Sequence, residues 1–209
     1  MSPDQKQSQP EFSEDRETES LLRARAGQQS MLAELAQRAL VGTDLAILRD
    51  EVVSMVAQAL QLDYIHIFEL LPDTDTLLLK TAMGWPPELI DNFSLDIQAD
   101  LDLNHTFQTK TPLMVTDFDT QLQFGPPALP GSRRVAGGLS VVIQGRRDKF
   151  GVLGGYTTGQ RLFTEDDIHF LQAIANILGM AAERKQGEAQ IVRRNLQLLT
   201  LQSAWTASS

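Results

Sequence analysis

The chain has 209 residues, 42% hydrophobic and 22% charged, with no cysteine and a formal net charge of −9. A chain of this length can bury a core without disulfide or thiolate–metal staples, and its acidity argues against a nucleic-acid partner, which selects a clustered basic face. No apolar run reaches the roughly 18 residues of a membrane span, and the opening MSPDQKQSQPEFSEDRETE holds no apolar signal core, so a cytoplasmic setting is expected.

Residues 1–11 are rich in Gln, Ser, Pro and acidic side chains and are expected to be a disordered tail. Ser13 is positioned to cap a first helix over 12–42, with Leu21, Leu22, Leu32, Leu35, Ala36 and Ala39 on a rough stripe and Gly27 as its weak point. Gly42 ends that helix and Thr43 is the expected cap of the next, in which Leu45, Leu48, Val52, Met55, Val56 and Ala59 form an apolar face. The pattern then changes to DYIHIFELL and TLLLKTAMGW around the turn composition PDTDT, which predicts a hairpin. Period-two alternation sets Tyr64, His66, Phe68 and Leu70 on one face and Ile65, Ile67 and Glu69 on the other, so both faces of this strand require cover.

Residues 86–131 are irregular, with helical pieces PPELIDN and LNHTFQTK, a short strand PLMVTD and the Pro-rich loop FGPPALPGS. An excursion of that length inside a domain usually serves function. The strands GGLSVVIQ and KFGVLGGYTT follow, joined by the polar turn GRRD. Thr164 caps a long final helix, with Asp166 and Asp167 in its first turn. Ile168, Leu171, Ile174, Ala175, Leu178, Ala181 and Ala182 make its continuous stripe, and a weaker one runs on through Ile191, Leu198 and Leu201, so the helix is expected to project beyond the domain. Helix, helix, hairpin, irregular lid, hairpin, helix defines an α+β class: a central antiparallel sheet with the terminal helices on one face and the lid on the other. There is no internal repeat.

Gly151, Gly154 and Gly155 precede the final helix without matching a phosphate cradle. Their G-x-x-G-G spacing lies within a strand rather than in a strand–helix turn, and no Lys-Ser or Lys-Thr follows, so neither a dinucleotide fingerprint nor a P-loop fits. Residues without side chains at these positions instead permit close approach of a helix or a neighbouring strand. The basic clusters GSRRV, GRRDK and IVRRN are short and scattered, as solvated surface is. The three histidines show no metal-ligand spacing, and no catalytic triad is evident.

The stretches ELLPDTDTLLLKTAMGW and GLSVVIQGRRDKFGVLGGYTTGQRLFTEDDIHFLQAIANIL closely resemble a bacterial GAF domain over about residues 44–185. The resemblance implies a sensory domain over 43–185, flanked by a signalling helix over 12–42 and a linker or coiled-coil helix over 186–209. It implies a pocket between the sheet and a roof of residues 86–135, with Tyr64, His66, Phe68, Trp85, Phe93, His105, Phe107 and Tyr156 as candidate ligand-binding residues; each is equally compatible with ordinary core. His66 or His105 would ligate the iron of a haem-type gas or redox sensor, the alternative for His66 being a satisfied structural histidine; His169, on the closing helix, is expected at the surface. Phe118 and Phe124 are further pocket candidates, and Arg133 and Arg134 could meet an anion. GAF members that attach a tetrapyrrole through a thioether, or reduce methionine sulfoxide, depend on cysteines that this chain lacks, so the reading is non-catalytic. The resemblance implies an output partner such as a histidine kinase, a nucleotide or diguanylate cyclase or a transcription regulator, and the apolar stripes on both terminal helices, running beyond the domain, predict a parallel homodimer. No such output motif is present in this chain. A ligand-free dimerisation spacer is the remaining alternative.

Overall fold

The computed structural model describes residues 9–98, 101–121, 134–146 and 148–207. Its order is α1 (Gln9–Leu40), α2 (Leu45–Leu60), β1 (Tyr64–Leu70), β2 (Thr76–Met83), a 3₁₀ turn (Pro87–Leu89), β3 (Ser94–Asp96), α3 (Leu101–Thr109), β4 (Leu113–Val115), β5 (Gly137–Gln144), β6 (Lys149–Thr157) and α4 (Glu165–Ala207). The β-forming stretches pair into one six-stranded sheet, ordered β3-β2-β1-β6-β5-β4, with every pairing antiparallel.

Alternation along the central strands divides the interior into two layers. Ile65, Ile67, Leu139, Val141 and Leu153 meet the apolar faces of α2 and α4, where Leu48, Val52, Val56, Leu171, Ile174 and Leu178 are fully buried. On the other face Phe68, Leu77, Leu79, Val142 and Val152 meet Ile97 and the Leu103 and Phe107 side chains of α3. The α+β arrangement expected from the sequence, helices on one face and lid on the other, is the one observed. No helix among the described residues is long and apolar enough to cross a membrane.

Local chemistry accounts for the departures. Helix α1 already includes residues 9–11 of the expected tail, and residues 1–8 lie outside the described residues. Ser13 is therefore inside the helix rather than capping it. Gly27 is spanned without a break. Of the α1 stripe, Leu35 and Ala39 are buried, Leu32 and Ala36 half-buried, and Leu22 exposed; the Leu21 side chain lies outside the described residues. The cap of α2 is Asp44 rather than Thr43: its carboxylate accepts from the Ala46 N–H at 2.8 Å, and Lys185 adds an ion pair that helps hold the Asp44 carboxyl below the usual carboxylate range, after the backbone hydrogen bond. Strand β3 was not anticipated, because three residues are too few to show a period. Thr164 does cap α4, by exchanging hydrogen bonds with Asp167: the Thr164 N–H donates to the carboxylate at 2.9 Å, and the Asp167 N–H donates to the Thr164 hydroxyl at 3.2 Å.

Two β-bulges interrupt the ladders. Ile67 and Phe68 oppose Thr81 and Leu79, leaving Lys80 as the extra residue of β2; Ile143 and Gln144 oppose Gly151 and Lys149, leaving Phe150 as that of β6.

Helix α4 seats closely on β5 because Gly179 has no side chain; a Cβ there would overlap the Gln144 carbonyl. Gly→Ala in an exposed helix stabilises by up to about 1 kcal/mol, but here the sign reverses. Gly179→Ala should lower unfolding free energy by about 1–3 kcal/mol through overpacking, measured by urea denaturation. Asp63 joins the start of β1 to the end of β6 by accepting from the Thr158 N–H at 2.6 Å and the Thr158 hydroxyl at 2.8 Å. Those bonds, the backbone one above all, lower the Asp63 pKa below its ordinary value. Their stabilisation is complete above the unfolded carboxyl pKa of about 3.9 and disappears as pH falls through the lowered folded value. Asp63→Asn should therefore be less stable than the parent at pH 7, with the gap closing in acid, as followed by thermal melts across pH.

Candidate functional site

The roof face of the sheet is built around His66. In the β1–β6 register His66 lies opposite Gly154, and a Cβ at Gly154 would stand 2.8 Å from His66 Nε2. The missing side chain thus makes room for an imidazole, while Gly151 and Gly155 accommodate the β1 carbonyls of Phe68 and Tyr64. Close packing is the role of these glycines, as their spacing suggested, and the neighbour is β1 rather than a helix.

With 1% of its surface exposed, His66 is enclosed by rings: Phe68 at 5.1 Å, Tyr156 at 5.2 Å and Trp85 at 5.7 Å between centroids. Gly84, with φ of 80°, turns the chain after β2 and brings Trp85 over this face. Phe93 extends the cluster beyond Trp85, at 5.9 Å, and Phe118 extends it beyond Tyr156, at 6.1 Å. Tyr64 and Tyr156 belong to the adjoining apolar group with Leu113, Val115, Phe118 and Val135. Phe107 is buried under α3, where the Lys149 ammonium stands over its ring and donates to its carbonyl at 2.5 Å. Burial, with Lys110 nearby, pulls the Lys149 pKa below its usual value.

Polar groups punctuate this aromatic layer. The Tyr156 hydroxyl donates to the buried Asp102 carboxylate at 3.1 Å, and the Thr106 and Ser140 hydroxyls share a hydrogen bond of 2.7 Å between α3 and β5. Tyr64 Oη, Trp85 Nε1 and Asn104 Oδ1 are buried without a hydrogen-bond partner among the described residues. A buried polar group left unmet costs about 1–3 kcal/mol, so this layer would gain by meeting polar atoms of a ligand.

The structure therefore brings together seven of the eight sequence candidates: Tyr64, His66, Phe68, Trp85, Phe93, Phe107 and Tyr156. It does not bring His105 with them, because that side chain is on the exposed face of α3. Of the two alternative haem ligands, His66 is thus buried in the layer and His105 is exposed. Among the further candidates, Phe118 joins the layer, Arg134 pairs with Asp119 at the surface, and Phe124 and Arg133 lie outside the described residues. Asp102, Thr106 and Ser140 were missed. Their signal was present: Asp102, Leu103, Thr106 and Phe107 recur at helical spacing, and Ser140 is the one hydroxyl in GGLSVVIQ.

Comparison with known proteins agrees with this geometry. The GAF domain family matches residues 44–182. The GAF domain of an Acinetobacter phosphoenolpyruvate-protein phosphotransferase superposes with a TM-score of 0.67 at 24% identity, over 76% of this chain and 95% of that one. A Neisseria meningitidis free methionine-R-sulfoxide reductase, in complex with its substrate, gives 0.63 at 16% identity over 77% and 91%. A phycoerythrobilin-bound GAF domain from a cyanobacterial phytochrome gives 0.62 at 15% over 78% and 97%. At these identities the structural likenesses establish the fold alone. No curated protein sequence matches the chain. The family match spans well over half of the chain, and with the two-faced antiparallel sheet it identifies this protein as a member of the GAF domain family, whose domains are regulatory and sensory modules.

Proposed function

We propose that this chain is a non-catalytic sensory module of a bacterial signalling protein, with a small-molecule site under the roof and a parallel homodimer formed through its terminal helices. On this reading residues 43–185 are the sensory domain, 12–42 a signalling helix and 186–209 the linker to an output domain of kinase or cyclase type. One observation carries it: α4 is at once the principal cover of the sheet and the element that runs on for more than twenty residues past the domain. At 1.5 Å per residue, the stretch beyond Arg184 extends about 35 Å. Ile191, Val192, Leu196, Leu198 and Leu199 are exposed along it. Ile191 and Leu198, like Val192 and Leu199, are seven residues apart, the repeat at which aliphatic side chains bury themselves against a partner helix.

The mechanism follows from the sheet's two faces. A ligand meeting Trp85 Nε1, Tyr64 Oη and the His66 ring shifts β1 and β6 under the roof, and α4, seated on the other face, moves with them. Only a few kcal/mol of differential affinity between two helix arrangements is required. Substrates and bilins of related folds supply the chemical types to try, with any tetrapyrrole held without a thioether because the chain has no cysteine.

The dimer should be visible by light scattering as twice the 23.2 kDa chain mass at micromolar concentration, and Val192→Glu with Leu199→Glu should return it to monomer without changing the circular dichroism of the domain. A parent that is monomeric at high micromolar concentration removes the dimer. For the chamber, a thermal-shift panel of nucleotides, small metabolites and bilins should yield a stabilising ligand whose effect falls at least tenfold in apparent affinity in Trp85→Leu. Silence across the panel favours a dimerisation spacer.

A further inference from the structure

A concavity of about 490 Å³ lies at the other end of β1 and β6 from His66, on the helix-bearing side. Its walls are the first turns of α2, through Leu45 and Arg49, and the middle of α4, through Leu178, Ala182 and Lys185; Ile67, Ile143 and Phe150 form its apolar floor. That volume lies in the range of small-molecule sites, about 300–1,000 Å³. Both bulged residues, Lys80 and Phe150, line it. The bulge in β6 turns Phe150 to the helix face, which alternation from the roof-facing Val152 would deny it, a device concentrated beside binding sites.

The charge of the lining is opposite to that of the chain. Arg49, Lys80, Lys149 and Lys185 face the cleft with one acid, Glu69, although the chain as a whole carries −9. Arg49 donates through Nη1 to Glu69 at 2.5 Å, while its buried Nε has no hydrogen-bond partner among the described residues. Lys185 and Lys80 reach Asp44 and Asp91, acids that do not line the cleft. Lys149 is turned to the Phe107 carbonyl. Lys185 pairs at 3.3 Å with Asp44, the N-cap of α2, and Arg49 stands in the first turns of that helix, so the two cations share one end of the cleft. An apolar floor with a cation-lined end, where Arg49 keeps an unmet N–H and Lys185 draws its acid from outside the cleft, matches an amphiphilic anion: a hydrocarbon body to cover Ile67, Ile143 and Leu178, and a head group to take the unmet Arg49 N–H.

We propose that this cleft is a second ligand site, distinct from the roof-side chamber, that binds a small amphiphilic carboxylate with its head group at Arg49 and Lys185. Its position gives it a role. Lys185, Gln186 and Ala189 are the lining residues at which α4 leaves the domain. A ligand here ties the root of the projecting helix to α2 and to the sheet, so it biases the same helix as the chamber but from its base.

The test is calorimetric titration of the full chain with decanoate, with decanol and decyltrimethylammonium as neutral and cationic counterparts. One decanoate should bind per chain, with decanol at least tenfold weaker and the cation not detectably bound. Lys185→Gln should weaken decanoate about fivefold, as an exposed pair does, and Arg49→Gln about tenfold or more. Because Arg49→Gln also strips Glu69 of its partner, Ala189→Trp, at an exposed position on the rim, provides the independent check: it should close the cleft and abolish binding while the thermal melt is unchanged. Decanol binding as tightly as decanoate, several decanoates per chain, no decanoate binding, or full affinity in Ala189→Trp would each overturn the proposal. Each of these outcomes is read on the chain with no roof ligand added, so a failure here leaves the roof reading standing.

Discussion

The antiparallel pair of β1 and β6 governs this structure, because apolar side chains leave it on both faces and each face must be covered. One cover is regular. The stripes of α2 and α4 meet Ile65, Ile67 and Leu153 as a dry layer of aliphatic side chains. The other is assembled from the 3₁₀ turn, the short helix α3 and Trp85, and this side of the sheet carries the polar atoms: the Asp102 carboxylate, the Thr106 and Ser140 hydroxyls, and the Trp85 indole. An aliphatic layer transmits displacement because close-packed interiors are barely compressible. A mixed aromatic and polar layer is better suited to accept a ligand. The division of labour between sensing and transmission thus comes from which side of one strand a residue faces.

How much of this was legible in the sequence depended on the length of the pattern available. Ile168 to Ala182 spans four helical turns, and the stripe it forms is the one found buried on the sheet. Alternation from Tyr64 to Leu70 was long enough to separate the two faces, and the structure assigns His66 and Phe68 to the roof side as that alternation required. Shorter signals failed for physical reasons. Three residues of β3 cannot show a period, and a cap one residue from its expected place depends on the turn at Gly42 rather than on residue type. His105 entered the candidate set because it falls in the roof segment. Position in a segment does not specify helical phase, and on α3 the inward phase belongs to Asp102, Leu103, Thr106 and Phe107.

The bulges at Lys80 and Phe150 could not be read at all. A bulge is a property of two strands in register, and alternation back from Val152 predicts the roof face for Phe150. Phe150 illustrates the consequence: two residues from the roof-facing Val152, it nevertheless joins the helix-side core. The helix-side cleft has no sequence signal for a related reason: its lining is drawn from β1, β2, β5, β6 and two helices, and Phe150 is there only through broken register.

Lys149 connects the two ends of this design. It lines the helix-side cleft, yet its ammonium donates to the Phe107 carbonyl and lies over the Phe107 ring, which belongs to the roof layer. Its charge is already disfavoured by burial and by Lys110. An anion in the cleft would favour that charge and draw the ammonium away from α3, while a roof closed firmly on α3 would hold it there. The two positions are exclusive for a single ammonium group, so any free energy the cleft ligand gains from Lys149 is taken from the seat of α3. Linkage then requires that a ligand which tightens the roof weakens the anion in the cleft by the same factor, and the reverse. Two sites joined through Lys149 would therefore oppose each other at the root of α4, whatever ligand occupies the roof.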